Sequence, residues 1–313
     1  MSEPGGTVYR SGFIAIVGRP NMGKSTFLNQ VLGHKAAIVT PKPQTTRTRI
    51  LGVHHLPDGQ MIFLDTPGIH REENDTLERV MEQTAFGACD DADLILYFVT
   101  ATAGVTDADW DNLTRLSEKN QDIFLVINKV DRVSRPLLLP LAAACETRAG
   151  QLGLSIQEFA MISALTGDNV LHLISRIFPR LPEGPRYFSE DQWTDQPERF
   201  IAAEIIREKL FLHLHQELPY HVAVQVESFQ ETGSRLHIVA LILVERDSQK
   251  GIVIGRGGSM LKKTGAAARH DLERFFACGV YLELQVMVRK GWREDARLLN
   301  TLGYREGSDH AVS

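Results

Sequence analysis

The segment Gly18-Arg19-Pro20-Asn21-Met22-Gly23-Lys24-Ser25 constrains this chain more than any other. It has the spacing G-x-x-x-x-G-K-[ST], and the sequence changes character across it. Upstream, Phe13 to Val17 is a short apolar run of the kind buried on both faces of a sheet. Downstream, Phe27, Leu28, Val31 and Leu32 recur at helical spacing. Strand, glycine-rich turn and helix in that order build an anion cradle. The glycines let the backbone wrap a phosphate, the N–H groups and the helix N-terminus point at its oxygens, and Lys24 adds a point charge. Ser25 is left to hold Mg²⁺, and Gly18 through Thr26 form the candidate phosphate site.

At 313 residues the chain exceeds the usual size of one core, so two domains are expected. Its 43% apolar and 23% charged residues are those of an ordinary soluble protein. No run of eighteen apolar residues occurs, and Met1 to Thr7 lacks a signal-type apolar region, so neither a membrane-spanning nor a secreted protein is expected. Cys89, Cys145 and Cys278 are far apart with no C-x-x-C, which argues against a disulfide frame or a zinc site and for a reducing cytoplasm. The net charge of −5 is unevenly spread: Ser248 to Ser313 carries 11 Lys+Arg against 7 Asp+Glu. A basic end on an acidic chain suits a polyanion contact, or a solvated surface of uneven charge.

Lys35 to Thr48 is polar, Thr-rich and broken by Pro41 and Pro43, and reads as a loop that orders on demand. Ile50 to Leu56, the turn Pro57-Asp58-Gly59, and Gln60 to Leu64 read as a hairpin. Apolar strands recur at Leu94 to Val99, Ile123 to Ile127 and Glu158 to Ile162, separated by helix-like stretches. That alternation predicts a doubly wound α/β sheet with its ligand at the carboxyl ends of the strands. We place this first domain at 1–180 and a Pro/Gly-containing linker at 181–196. A smaller α+β domain at 197–292 follows, then a tail at 293–313.

Three motifs close strands of the first domain. Asp65-Thr66-Pro67-Gly68 can hold Mg²⁺ through a water on the carboxylate of Asp65 and meet a γ-phosphate with the Gly68 N–H. Asn128-Lys129-Val130-Asp131 is selective: the Asp131 carboxylate accepts the N1–H and exocyclic amine of guanine, whereas adenine offers an acceptor at N1 and no amine at C2. Ser163-Ala164-Leu165 ends the next strand, where the Ala164 N–H could meet guanine O6. In the Thr-rich loop, Gln44-Thr45-Thr46-Arg47 offers a hydroxyl opposite Ser25; Thr46 is preferred over Thr45. Lys24, Thr46 and Gly68 are therefore the catalytic candidates, and Ser25, Thr46 and Asp65 the Mg²⁺ candidates.

In this order the five motifs resemble those of the translation-factor class of small GTPases. In the C-terminal part, the run Gly251 to Lys263 is similar to the loop of a type II KH domain, with the G-x-x-G turn Gly255-Arg256-Gly257-Gly258 approaching a sugar-phosphate chain and Arg256, Lys262 and Lys263 supplying charge. A GTPase domain followed by one KH domain resembles the Era family along nearly the whole chain, from about Gly12 to Tyr304. The resemblance implies GTP and GDP as nucleotides, binding of 16S rRNA near its 3′ end, and help in maturing the small (30S) ribosomal subunit. It also implies peripheral contact with the inner membrane, and we expect a monomer. Asn21 resembles the pattern in related GTPases where K⁺ sits beside the phosphates in place of an arginine finger. Met22 stands where Val is commonest. Ile69 stands where many signalling GTPases carry the Gln that orients the attacking water, so slow intrinsic hydrolysis is expected. Two other readings remain open at this stage: a GTPase of tRNA modification or membrane transport, and an RNA-binding module with GTP as a structural ligand.

Overall fold

A computed structural model of the chain describes residues 8–69, 75–119 and 121–304. The sequence features at Met1 to Thr7 and after Tyr304 lie outside them. In the first domain the order is β1 (Arg10–Gly18), α1 (Lys24–Leu32), β2 (Ile50–Leu56), β3 (Gly59–Asp65), α2 (Thr76–Asp90) and β4 (Leu94–Thr100). Then come α3 (Asp107–Ser117), β5 (Asp122–Asn128), α4 (Leu138–Gln151), β6 (Glu158–Met161) and α5 (Val170–Ile177). The strands form one sheet in the order β2-β3-β1-β4-β5-β6, with β2 antiparallel to β3 and the rest parallel.

Period-2 alternation divides the buried strands between two cores. Ile14 and Ile16 pack with Phe27 and Leu28 of α1 and Leu173 and Ile177 of α5. Ala15 and Val17 face the other way, onto Ala85 of α2, Trp110 and Leu113 of α3 and Cys145 of α4. With helices on both faces, β1 lies between β3 and β4, and the turn that follows it stands where consecutive crossovers part to opposite sides of the sheet.

The second domain runs α6 (Glu198–His213), β7 (Ala223–Thr232), β8 (Arg235–Val244), α7 (Asp247–Ile254), α8 (Ser259–Phe276) and β9 (Gly279–Val288), followed by α9 (Ala296–Thr301). Its sheet is β7-β8-β9, with β8 antiparallel to β7 and parallel to β9. Ile205 and Leu210 of α6 and Ala268 and Leu272 of α8 cover the inner face of the sheet at Ile238, Ala240 and Ile242.

Two segments behave differently from their composition. Residues 181–196, polar and interrupted by Pro and Gly, do not hang free between the domains. Val53 N–H donates to Trp193 O at 2.8 Å, Thr194 Oγ1 donates to Leu51 O at 2.7 Å, and Tyr187 N–H donates to Gln60 Oε1 at 3.0 Å. The segment thus satisfies edge groups that β2 would otherwise leave open and pairs the Gln60 side chain of β3. The described part of the tail is also packed. Trp292, Leu299, Leu302 and Tyr304 are buried with Leu77, Val80 and Met81 of α2 and Leu241 and Leu243 of β8. They seal the outer face of the second sheet against the first domain.

Candidate functional site

The glycine-rich turn, the loop before β2 and the ends of β3, β5 and β6 enclose a cleft of about 440 Å³. Pro20, Asn21, Gly23, Lys24, Ser25 and Thr26 line one wall, and Thr46 and Gly68 close it at one end. Asn128, Lys129, Asp131, Ala164 and Leu165 line the other end. Gly18, Arg19, Met22, Asp65, Thr66, Pro67 and Ser163 stand behind these walls and support them.

Gly23 caps α1 at φ 93°, and a Cβ there would lie 2.3 Å from Asn128 Nδ2. Only glycine lets the turn and the Asn128 side chain come so close. Gly68 is held likewise: a Cβ would meet Pro20 Cγ at 2.6 Å. The backbone of the D-T-P-G motif therefore lies directly on the turn that follows β1.

Lys24 is 6% exposed, and its ammonium donates to Gly18 O at 3.0 Å and Arg19 O at 3.1 Å. Burial lowers its pKa to about 8, with Asp65 pulling the other way. Asp65 is fully buried; burial raises its carboxyl to about 6, opposed by Lys24, the Ser25 hydroxyl and the Thr66 amide. Ser25 Oγ donates to Asp65 Oδ2 at 2.6 Å and lies 2.9 Å from Thr46 Oγ1. Asp65 Oδ1 is buried without a hydrogen-bond partner. Two hydroxyls and a carboxylate with one orphaned oxygen make a hard-oxygen set suited to Mg²⁺, whose remaining positions go to phosphate and water. Thr45 turns elsewhere, its hydroxyl donating to Lys42 O at 2.8 Å and lying 2.6 Å from Thr40 Oγ1. Thr46 is thus the threonine that meets Ser25.

At the base-recognition end, Asn128 ties three loops together. Its Nδ2 donates to Met22 O at 2.8 Å, and its Oδ1 accepts from Lys129 N–H at 2.8 Å and from Ala164 N–H at 2.9 Å. The Ala164 amide, read from sequence as a donor to guanine O6, is therefore already paired within the protein. Lys129 reaches back to Asn21 O at 2.5 Å. Asp131 is held by Ser163 Oγ, which donates to it at 2.6 Å. Arg19 does not point into the cleft: its Nη1 donates to Thr106 Oγ1 at 3.1 Å, beside Asp109 of α3. Thr66 Oγ1 donates to Ile16 O at 2.8 Å. Ile69 is 1% exposed in the core beside Ala85 and Trp110.

The G-x-x-G turn joins α7 to α8, with Gly255, Gly257 and Gly258 all at positive φ (76°, 56° and 78°). Arg256, Lys262 and Lys263 are exposed around it and, among the described residues, enter no ion pair. These cations are free to meet an anion from solvent.

Sequence reasoning missed the clasp made by Asn128, the brace from Ser163 to Asp131, and the anchoring of Arg47, whose guanidinium donates to Val222 O at 2.7 Å in the second domain. The first two lie within motifs and were open to inference from them; the third has no local signal.

The profile of the family described as "50S ribosome-binding GTPase" matches residues 13–129, and the "KH domain" profile matches residues 217–293. GTPase Era of Syntrophus aciditrophicus is 48% identical over 301 residues, covering 96% of each chain. GTPase Era of Geobacter metallireducens is 48% identical over 95% of this chain and 98% of its own length. The fold is similar to a variant of Aquifex aeolicus Era bound to GDP·AlF₄⁻, with TM-score 0.90, 38% identity and coverage of 94% of this chain and 99% of that one. It is equally similar to Era in complex with MgGDPNP and nucleotides 1506–1542 of 16S ribosomal RNA, with TM-score 0.91, 38% identity and coverage of 95% and 99%. Similarity of this degree, running through both domains and the segment between them, shows that the chain belongs to the Era family of GTPases.

Proposed function

We propose that this chain is a GTP-hydrolysing switch that binds 16S rRNA near its 3′ end through the second domain and assists assembly of the small ribosomal subunit in the cytoplasm. The observation that carries the reading is the Ser25–Thr46–Asp65 cluster, which joins the phosphate loop, the Thr-rich loop and the D-T-P-G motif within hydrogen-bond distance. Its companion is the exposed basic turn at Gly255 to Gly258 on the other domain. An Era relative bound to MgGDPNP and a 16S fragment supports both halves together.

In this reading Ser25, Thr46 and Asp65 hold Mg²⁺, which when bound neutralises charge on the β- and γ-phosphate oxygens. Lys24, now parked on two carbonyls, turns to the phosphates. The Gly68 N–H meets the γ-phosphate, and Asp131 selects guanine. Turnover is slow, because Ile69 is sunk in the core and no side chain at that position orients water. The switch loops relax after hydrolysis and change the affinity for RNA. Peripheral contact with the inner membrane is part of the reading; among the described residues no helix is long and apolar enough to cross a membrane.

Crosslinking the GTP-bound protein in a cell extract and sequencing the attached RNA tests partner and process together, with recovery of the 16S 3′ end expected. Multiple-turnover phosphate release from GTP tests the enzyme. Its absence would leave GTP as a structural ligand of an RNA-binding module.

A further inference from the structure

The loop between α1 and β2 carries Thr46, yet most of what fixes this loop comes from the other domain. Lys35 Nζ donates to Glu208 Oε2 at 2.5 Å, and Val39 N–H donates to Glu208 Oε1 at 3.2 Å. The Lys42 ammonium donates to the carbonyls of Phe211 and Leu214, at the end of α6. Arg207 Nη2 donates to Thr45 O at 2.5 Å, and Thr48 Oγ1 to Gly303 O at 3.1 Å.

Arg47 is the centre of this arrangement. It is 1% exposed, although it sits in a loop. Its fork donates to Val222 O at 2.7 Å, Tyr220 O at 2.9 Å and Pro219 O at 3.3 Å. The guanidinium lies 5.5 Å from the ring of Phe211 and 5.8 Å from that of Trp292. A buried cation held by carbonyls and aromatic faces cannot leave without stranding its charge or opening the cage. The peptide that joins Arg47 to Thr46 is thereby pinned, and Thr46 Oγ1 stands 2.9 Å from Ser25 Oγ.

We infer that Arg47 is a positioning residue of the GTP site whose anchor is the second domain, so that Thr46 is in place only while the two domains are docked as seen here. The inference rests on the GTPase reading and adds the direction of control. The RNA-binding domain completes the hydrolytic site in cis. By linkage, anything bound to the second domain that favours this docking also favours the GTP-bound loop, and GTP favours the docking in return.

The test uses the full-length chain. Arg47→Ala is expected to lower kcat about tenfold or more, since small misplacements of a catalytic group cost that much. It should weaken GTP while leaving GDP affinity within about twofold, because only the γ-phosphate state uses Thr46. The Mg²⁺ concentration for half-maximal rate should rise. A merely structural role would weaken GTP and GDP alike. Should Arg47→Ala fail to fold, Lys42→Gln decides: that side chain is partly exposed, and a smaller loss of the same GTP-selective kind, about threefold, is expected. Folded variants that turn over GTP at the wild-type kcat with an unchanged GTP-to-GDP preference overturn the inference. Wild-type protein that releases no phosphate defeats the GTPase reading instead, so the two failures are distinct.

Discussion

The Ser163 hydroxyl donates to the Asp131 carboxylate at 2.6 Å, and the two differ in freedom: Ser163 is fully buried while Asp131 is exposed at the mouth of the cleft. A buried group thus orients the carboxylate proposed to read the base. Asp131→Asn should weaken GTP and shift preference toward the xanthine nucleotide, whose C2 carbonyl accepts from the new amide. Ser163→Ala should weaken GTP and GDP equally, by about 1 kcal/mol or roughly fivefold, the worth of one orienting hydrogen bond. Competition of both nucleotides against a fluorescent GDP reads both effects. Unchanged base preference in Asp131→Asn would remove the guanine assignment.

Asp65 predicts a pH dependence. Burial raises its carboxyl from 3.8 to about 6, so between those values the native chain holds a proton that the unfolded chain releases. The sign follows: this group makes the nucleotide-free protein less stable as pH rises through that window. Mg²⁺ takes only the carboxylate, so below about pH 6 its binding must displace the proton and weaken about tenfold per pH unit. Titrating Mg²⁺-dependent GTP binding from pH 5 to 7.5 measures this, and the same series on Asp65→Asn subtracts the titration of the nucleotide's own phosphates. A flat wild-type profile would take Asp65 out of the metal shell.

What could be read before the structure was local, and what could not was distant. The apolar period changes at Gly18 and again at Lys24, and β1 ends and α1 begins there. Asp65, Asn128 and Ser163 each close an apolar run, so a parallel sheet brings them to one edge without further information. Arg47 is different. Its acceptors lie 172 to 175 residues away, and nothing in Thr45-Thr46-Arg47-Thr48 distinguishes a buried cation from a solvated one. Trp193 misled by composition: its neighbours are polar and Pro-broken, yet its carbonyl serves the edge of β2. Leu299, Leu302 and Tyr304 were set outside the second domain for want of period, because their role is to fill a gap between its sheet and α2.

Ile69 offers a direct check on slow turnover. The residue after D-T-P-G is 1% exposed and packed beside Ala85 and Trp110. Ile69→Gln buries an amide in that core and should cost about 2–3 kcal/mol of stability without raising the hydrolysis rate. Thermal unfolding and single-turnover hydrolysis measure the two. A faster variant would mean that this position reaches the attacking water, and a wild-type rate equal to that of an activator-stimulated GTPase would overturn the expectation of a slow enzyme.

Asn21 carries the K⁺ proposal. It sits at φ 63° in the turn, a conformation asparagine tolerates, and its Nδ2 donates to Pro41 O of the Thr-rich loop at 3.3 Å. In that proposal, with GTP bound, its side-chain oxygen meets a monovalent cation beside the phosphates. Turnover in KCl is expected to exceed that in NaCl, and Asn21→Ala to abolish the difference. Equal rates in the two salts would eliminate the ion from the mechanism.

Gly257 separates the two ends of the switch. An added Cβ there meets no atom within 4 Å, and at φ 56° aspartate is among the residues least strained. Gly257→Asp should therefore fold and bind GTP as the wild type does, while placing a carboxylate where a phosphate of the RNA must approach. Affinity for a 16S 3′-end fragment should fall about tenfold or more, and Lys262→Ala or Lys263→Ala should each reduce the slope of log affinity against log salt by about one. The cations enter no ion pair among the described residues, so their charge is available to a phosphate and not consumed within the protein. Gly257→Asp that binds RNA at wild-type strength would move the contact away from this turn, and with it the output of the nucleotide site.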